Sequence, residues 1–143
     1  MTDAGIRAIR AWYRLQRAMT RFGQDVQRRH GITGEQLATL RIVGEQEQWQ
    51  LAELRGRLTM HPATLGQSID RLATRELVTT DCDPRDRRRR IVAVTAAGRA
   101  LLAGIPLVGP VRLRTQDADP DRLARLATAF DEAVDLFGLE EWT

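Results

Sequence analysis

Two short β-branched runs, Leu77-Val78-Thr79-Thr80 and Ile91-Val92-Ala93-Val94-Thr95, flank Asp83-Pro84-Arg85-Asp86. Asp bonds its own backbone two residues on, and Pro presets φ for a turn, so this spacing predicts a hairpin. Just upstream, Thr59-Met60-His61-Pro62 separates two amphipathic segments. Pro is excluded from a helix interior but suits the first turn, where its missing N–H has no partner to lose. A short helix over residues 52–58, with Leu54 and Leu58 at i, i+4, thus precedes a longer one. The second helix starts at His61 or Pro62 and runs to about Arg75, with Leu65, Ile69 and Leu72 inward. Together they have the helix-turn-helix outline, and few folds place a hairpin immediately behind one.

Helical periodicity accounts for most of the remainder. From Asp3 to His30, Ile6, Ile9, Tyr13, Met19, Phe22 and Val26 recur at helical spacing, Arg7, Arg10, Arg14, Arg17 and Arg21 fill the face between them, and Gly31 stops the helix. Thr33-Gly34-Glu35-Gln36 has the form of a capping box. The helix it opens turns Leu37, Leu40 and Val43 inward and fades over residues 44–48, and Trp49-Gln50-Leu51 is a short extended stretch. Thr95 is placed to cap a helix through Leu101, Leu102 and Ile105, which Pro106 and Pro110 interrupt. A last helix from about Pro120 aligns Leu123, Leu126, Phe130, Val134 and Phe137. No repeat or low-complexity linker divides the chain, so a single, mainly α domain over residues 1–143 is expected, with one small sheet.

Hydrophobic residues make up 43% of the 143, enough for a core without metal or disulfide staples. No window approaches an uncharged apolar membrane span. The first ten residues hold no signal-peptide core, and a lone cysteine forms no internal disulfide, so the expected location is cytoplasmic. All 22 basic residues are Arg, against 19 acids, for a net charge of +3. Their distribution is uneven: residues 1–44 carry +5, 45–52 −2, 53–99 +4, 100–116 +2 and 117–143 −6. A basic body of this kind attracts polyanions, double-stranded DNA first, while the acidic end stays off them.

Arg85-Asp86-Arg87-Arg88-Arg89-Arg90 concentrates a net +4 in six residues at the expected hairpin tip. A helix-turn-helix followed by a basic-tipped hairpin is a winged helix. Its helix fits the major groove, where base edges are readable, and the hairpin reaches the narrow, negative minor groove that favours Arg. A plain solvated turn would carry the same charges, but this setting favours nucleic acid.

These residues resemble the MarR-type transcriptional regulators. The likeness runs from Thr33-Gly34-Glu35-Gln36-Leu37 to Thr95-Ala96-Ala97-Gly98. It is most specific at Asp83-Pro84-Arg85-Asp86-Arg87-Arg88, followed by Val92, Thr95 and Gly98 at the family's spacing. The resemblance implies a mainly α winged helix-turn-helix: a DNA-binding lobe over about residues 33–98, dimerisation helices over residues 3–30 and 99–140, and one small β-hairpin wing. It further implies an obligate homodimer on a palindromic operator, repressing transcription until a small-molecule effector or an oxidant releases it. No cofactor or metal is expected.

On the recognition helix the outer face is left to His61, Ala63, Thr64, Gly66, Gln67 and Arg71. Gln67 is the best base reader, since its amide pairs in bidentate fashion with adenine. Thr64 suits a phosphate or a thymine methyl, Arg71 a phosphate, and His61 a capping role ahead of Pro62 if not a DNA contact. In the wing, Asp86 and Arg88 match the family's Asp-x-Arg pair, the carboxylate holding the guanidinium extended for the minor groove. Arg85, Arg87, Arg89 and Arg90 are left for phosphates. The chain departs from the family in three places. Glu76 replaces the Gly that commonly ends the recognition helix, at a cost of about 1 kcal/mol in a left-handed conformation. Thr80 and Asp81 replace basic residues, and Pro106, Gly109 and Pro110 break a usually continuous helix.

Other chemistry is poorly served. Cys82 lies between Asp81 and Asp83, a negative setting that suits an unreactive strand-end residue better than an oxidant sensor. Two isolated histidines give no zinc-ligand spacing, and no phosphate loop or nucleophile elbow is present, so an enzyme is not expected. Trp12, Tyr13, Met19, Phe22 and Trp49 are read as core rather than as a ligand pocket. The competing class is a winged-helix protein- or RNA-interaction module without operator specificity, which the arginine concentration disfavours.

Overall fold

The computed structural model describes residues 2–58, 62–114 and 117–143. The elements in order are α1 (Asp3–His30), α2 (Gly34–Val43), β1 (Trp49–Gln50), α3 (Leu51–Arg57), α4 (Pro62–Thr74), β2 (Val78–Asp83), β3 (Asp86–Val94), α5 (Ala96–Ala103) and α6 (Pro120–Leu136). Short 3-10 turns lie at Pro110–Arg114 and Glu140–Trp142. They form two compact units, Met1–Gly109 and Pro110–Thr143.

In the first unit each helix carries its own stop and start. Gly31 takes φ 70° and donates to the Gln27 carbonyl, which ends α1. The capping box at α2 forms as expected: the Thr33 hydroxyl accepts the Gln36 N–H at 3.1 Å, and the Gln36 side chain accepts the Thr33 N–H at 3.1 Å. Behind it α2 packs on α4, and Leu37, Leu40 and Val43 of α2 are buried, as are Leu65, Ile69 and Leu72 of α4 and Leu54 of α3, which packs on β3. Trp49 is 1% exposed, and its indole N–H donates to the Val43 carbonyl at 3.1 Å. Burying such side chains contributes about 1.5–3 kcal/mol each. Strand β3 is central in the antiparallel order β1-β3-β2, with Trp49 opposite Val92 and Val78 opposite Val94.

Helix α5 stops earlier than its periodicity predicts. Thr95 caps it, accepting the Gly98 N–H at 3.0 Å, but it ends at Ala103, before Ile105. Pro106 disfavours helical geometry at the residue before it, and Ile105 is buried from an irregular segment. Arg41 of α2 holds that segment, donating from Nη2 to the carbonyls of Ile105 at 2.7 Å and Pro106 at 3.0 Å. Partial burial pushes the Arg41 guanidinium down from its ordinary value, yet an arginine remains charged at any physiological pH.

Only Val26 of α1 is buried. The expectation of a core role therefore fails for Trp12, Tyr13 and Met19, which are exposed, and holds for Trp49. Their apolar periodicity is real, and it leaves these three side chains at the surface rather than in the core. In the second unit Asp119 caps α6, accepting the Asp121 N–H at 3.1 Å. None of the described residues of α6 is buried.

Candidate nucleic-acid interface

Helix α4 packs through Leu65, Ser68, Ile69 and Leu72. Its far side exposes Ala63, Gln67, Asp70, Arg71 and Thr74, while Thr64 and Gly66 are half-buried. The structure thus places Gln67 and Arg71 where the sequence puts them and leaves Thr64 partly covered. His61 lies outside the described residues. Sequence reasoning passed over Asp70, which shares the exposed face with Gln67 and Arg71. Its spacing of i+3 from Gln67 was the available signal, and its charge limits how closely phosphate approaches there. A Schellman motif closes the helix: the Leu77 N–H donates to the Leu72 carbonyl at 3.0 Å and the Glu76 N–H to the Ala73 carbonyl at 2.9 Å. Glu76 occupies the left-handed position with φ 58°.

The wing differs from expectation. Asp83 pairs directly with Asp86, so only Pro84 and Arg85 form the turn. The Asp83 carboxylate accepts the Arg85 N–H at 2.9 Å and closes it. Arg87, Arg88, Arg89 and Arg90 therefore belong to β3 and are not a loop tip. Successive strand residues point to opposite faces, which divides Arg87 and Arg89 from Arg88 and Arg90. The expected Asp86–Arg88 side-chain pair is also corrected. Asp86 accepts the backbone N–H of Arg88 at 3.1 Å and turns its other oxygen to Arg89, 3.6 Å from Nε. Across the ladder Arg90 donates to the Thr80 hydroxyl at 3.1 Å. Among the described residues, Arg85, Arg87 and Arg88 have no such partner and Arg90 meets only a neutral hydroxyl, so four exposed cations per wing without an ion pair remain available to an anion.

Known proteins share this fold. Residues 32–98 match the model of a winged helix DNA-binding domain. The transcriptional regulator HosA of Escherichia coli O111:H- is 30% identical over 96 residues, 67% of either chain. This chain belongs to the MarR family of transcriptional regulators. BpsR of Bordetella bronchiseptica, another relative, is 26% identical over 92% of each chain, with a TM-score of 0.63. A MarR variant from Escherichia coli, solved with operator DNA, shares the fold at 21% identity and a TM-score of 0.62, over 92% of this chain and 96% of that one.

As a MarR-type winged-helix protein, the chain is a DNA-binding transcriptional regulator. Cys82, in this MarR chain, is exposed and lies opposite Arg90 on the wing ladder. Among the described residues no cluster of three His, Cys, Asp or Glu is placed to hold a metal ion. No described helix is long and apolar enough to cross a membrane.

Proposed function

We propose that this regulator is a cytoplasmic homodimer that represses transcription from a palindromic operator and releases it on binding a small effector. The observation that carries this reading is the joint exposure, in one compact unit, of Gln67 and Arg71 on α4 and of the Arg85, Arg87 and Arg88 guanidinium groups on the wing. Gln67 reads a base, Arg71 and the wing arginines grip phosphate, and Thr64, with His61 just before α4 in the sequence, adds further DNA contacts. Arg89 shares its charge with Asp86, while Arg90 keeps its charge and its remaining N–H groups beside its bond to Thr80, so both still reach phosphate. Two-fold pairing is supported by the exposed apolar residues of α1 and of α6, which a second copy would cover. Effector control is supported by BpsR, whose DNA binding is regulated by 6-hydroxynicotinic acid.

Fluorescence anisotropy with the duplex upstream of the protein's own gene, titrated at two salt concentrations, tests this reading. Arg71 and the four wing arginines without an ion pair make ten cations per dimer, which give a log–log salt slope of about −9 if each neutralises one phosphate. Gln67→Ala should weaken the specific duplex by about 5- to 150-fold and leave a scrambled duplex unchanged. Equal affinity of the wild-type protein for both duplexes would refute sequence-specific regulation.

A further inference from the structure

Helix α1 has two flanks. Trp12, Leu15, Met19, Phe22 and Val26 recur three and four residues apart on one side. Arg7, Arg10, Arg14, Arg17 and Arg21 recur three and four apart on another, roughly 140° away at 100° per residue. Asp3 answers Arg7 at 3.3 Å. Among the described residues no acid pairs with Arg10, Arg14, Arg17 or Arg21, all of them exposed. These four span about 16 Å of helix. Every residue from 7 to 20 is exposed, and α1 is buried only at Val26, nearer its other end.

Helix α6 is divided the same way with the opposite sign. Asp121, Asp131, Glu132 and Asp135 lie on the flank away from Leu126 and Phe130, which they share with Arg125 and leave net negative; all four acids are exposed, and none has an ion-pair partner among the described residues. Residues 117–143 carry −6 in total. If a homodimer covers the apolar flanks, as proposed above, each charged flank lies on the side of its own helix turned away from them. Each repels its own kind and complements the other, which is the condition for a head-to-tail contact between assemblies rather than another two-fold one.

We propose that the arginine flank of α1 docks on the acidic flank of α6 from a second dimer, so that dimers associate side by side. This inference rests on the homodimer reading. The contact is electrostatic and exposed, so it forms at low ionic strength and dissolves as the Debye length falls from about 30 Å at 0.01 M to about 3 Å at 1 M. On DNA it would link occupancy of neighbouring operators.

Sedimentation velocity of the full chain at low and high salt tests the proposal, with two charge-reversed variants. One carries Arg14→Glu, Arg17→Glu and Arg21→Glu; the other carries Asp131→Arg, Glu132→Arg and Asp135→Arg. The wild-type protein should form species larger than a dimer at low salt and dimers at high salt. Each variant alone should remain dimeric, its further association weakened more than about tenfold by facing like charges. An equimolar mixture of the two should recover the larger species. Arg14→Gln with Arg17→Gln, milder changes at exposed positions, should give an intermediate loss and covers the case of a reversed variant that misfolds. A wild-type dimer that never grows at low salt overturns the contact while leaving the dimer intact. A wild-type monomer overturns the homodimer reading and this inference together. Variants that assemble as the wild type does, or that instead lose affinity for a duplex bearing one operator, overturn the assignment of the flank to a protein partner.

Discussion

Glu76 and Gly98 stand at the junction of α4, the wing and α5, and they pull stability in opposite directions. Glu76 holds φ 58°, a conformation that costs a side-chain-bearing residue about 1–2 kcal/mol and glycine almost nothing. Its carbonyl accepts the Thr95 hydroxyl at 2.6 Å, so the strained position also anchors the cap of α5. That bond belongs to the backbone and survives substitution. Glu76→Gly should therefore raise the urea midpoint by about 1 kcal/mol of stability at unchanged slope, less whatever the extra freedom of glycine returns to the unfolded chain. Gly98 is the reverse case. A Cβ there would strike the Leu77 carbonyl and lie 2.7 Å from Cγ2 of Val94, neither of which is a flexible side-chain end. Gly98→Ala should lower stability by about 1–3 kcal/mol in the same titration. The strain at Glu76 was legible in the sequence, because it follows from where a helix of known period must stop. The constraint at Gly98 was not, because it comes from a carbonyl twenty-one residues away, brought close by the hairpin.

The helices were legible where a cap and an apolar stripe coincide, as at Thr33 with Leu37 and Leu40, or at Gly31 behind Val26. The wing was legible as a hairpin but not in its extent. Its outer half is solvated on both faces, so Arg87 to Arg90 show no alternation of apolar and polar residues to mark them as strand. Pairing there is set instead by the two-residue turn that Asp83 closes. The same ladder changes the role of Asp86. Its oxygen holds the Arg88 backbone, and its ion pair with Arg89 is exposed and contributes no more than about 1 kcal/mol. Asp86→Asn keeps an acceptor for the Arg88 N–H and removes a negative charge from a surface that meets phosphate. It should bind operator at least as tightly as the wild type in anisotropy titrations. Asp86→Ala removes the acceptor as well and should bind more weakly than Asp86→Asn. If both variants lose affinity equally, the carboxylate charge itself, and not its hold on the backbone, positions the wing.

Over the whole chain, the sequence showed the apolar stripes of α1 and α6 but not what covers them, since periodicity is the same whether the partner lies in one copy or in two. In the single chain Leu15 is 49% and Met19 41% exposed, on a helix otherwise rich in arginine. Replacing both with Glu would leave the packing of the Met1–Gly109 unit untouched, because neither side chain is buried within it. The same charges inside a two-fold interface would be desolvated and unpaired, and each would face its symmetry mate or a neighbouring apolar group. Leu15→Glu with Met19→Glu should therefore convert the protein to monomers by sedimentation. Its far-ultraviolet circular dichroism should stay near that of the wild type unless the monomer does not fold alone, in which case the wild-type melting temperature must rise with protein concentration. Operator affinity should fall by about 10²- to 10⁴-fold, the advantage of holding two half-site readers on one frame, while affinity for an isolated half-site changes little. A doubly substituted protein that remains dimeric would move the interface off this flank of α1.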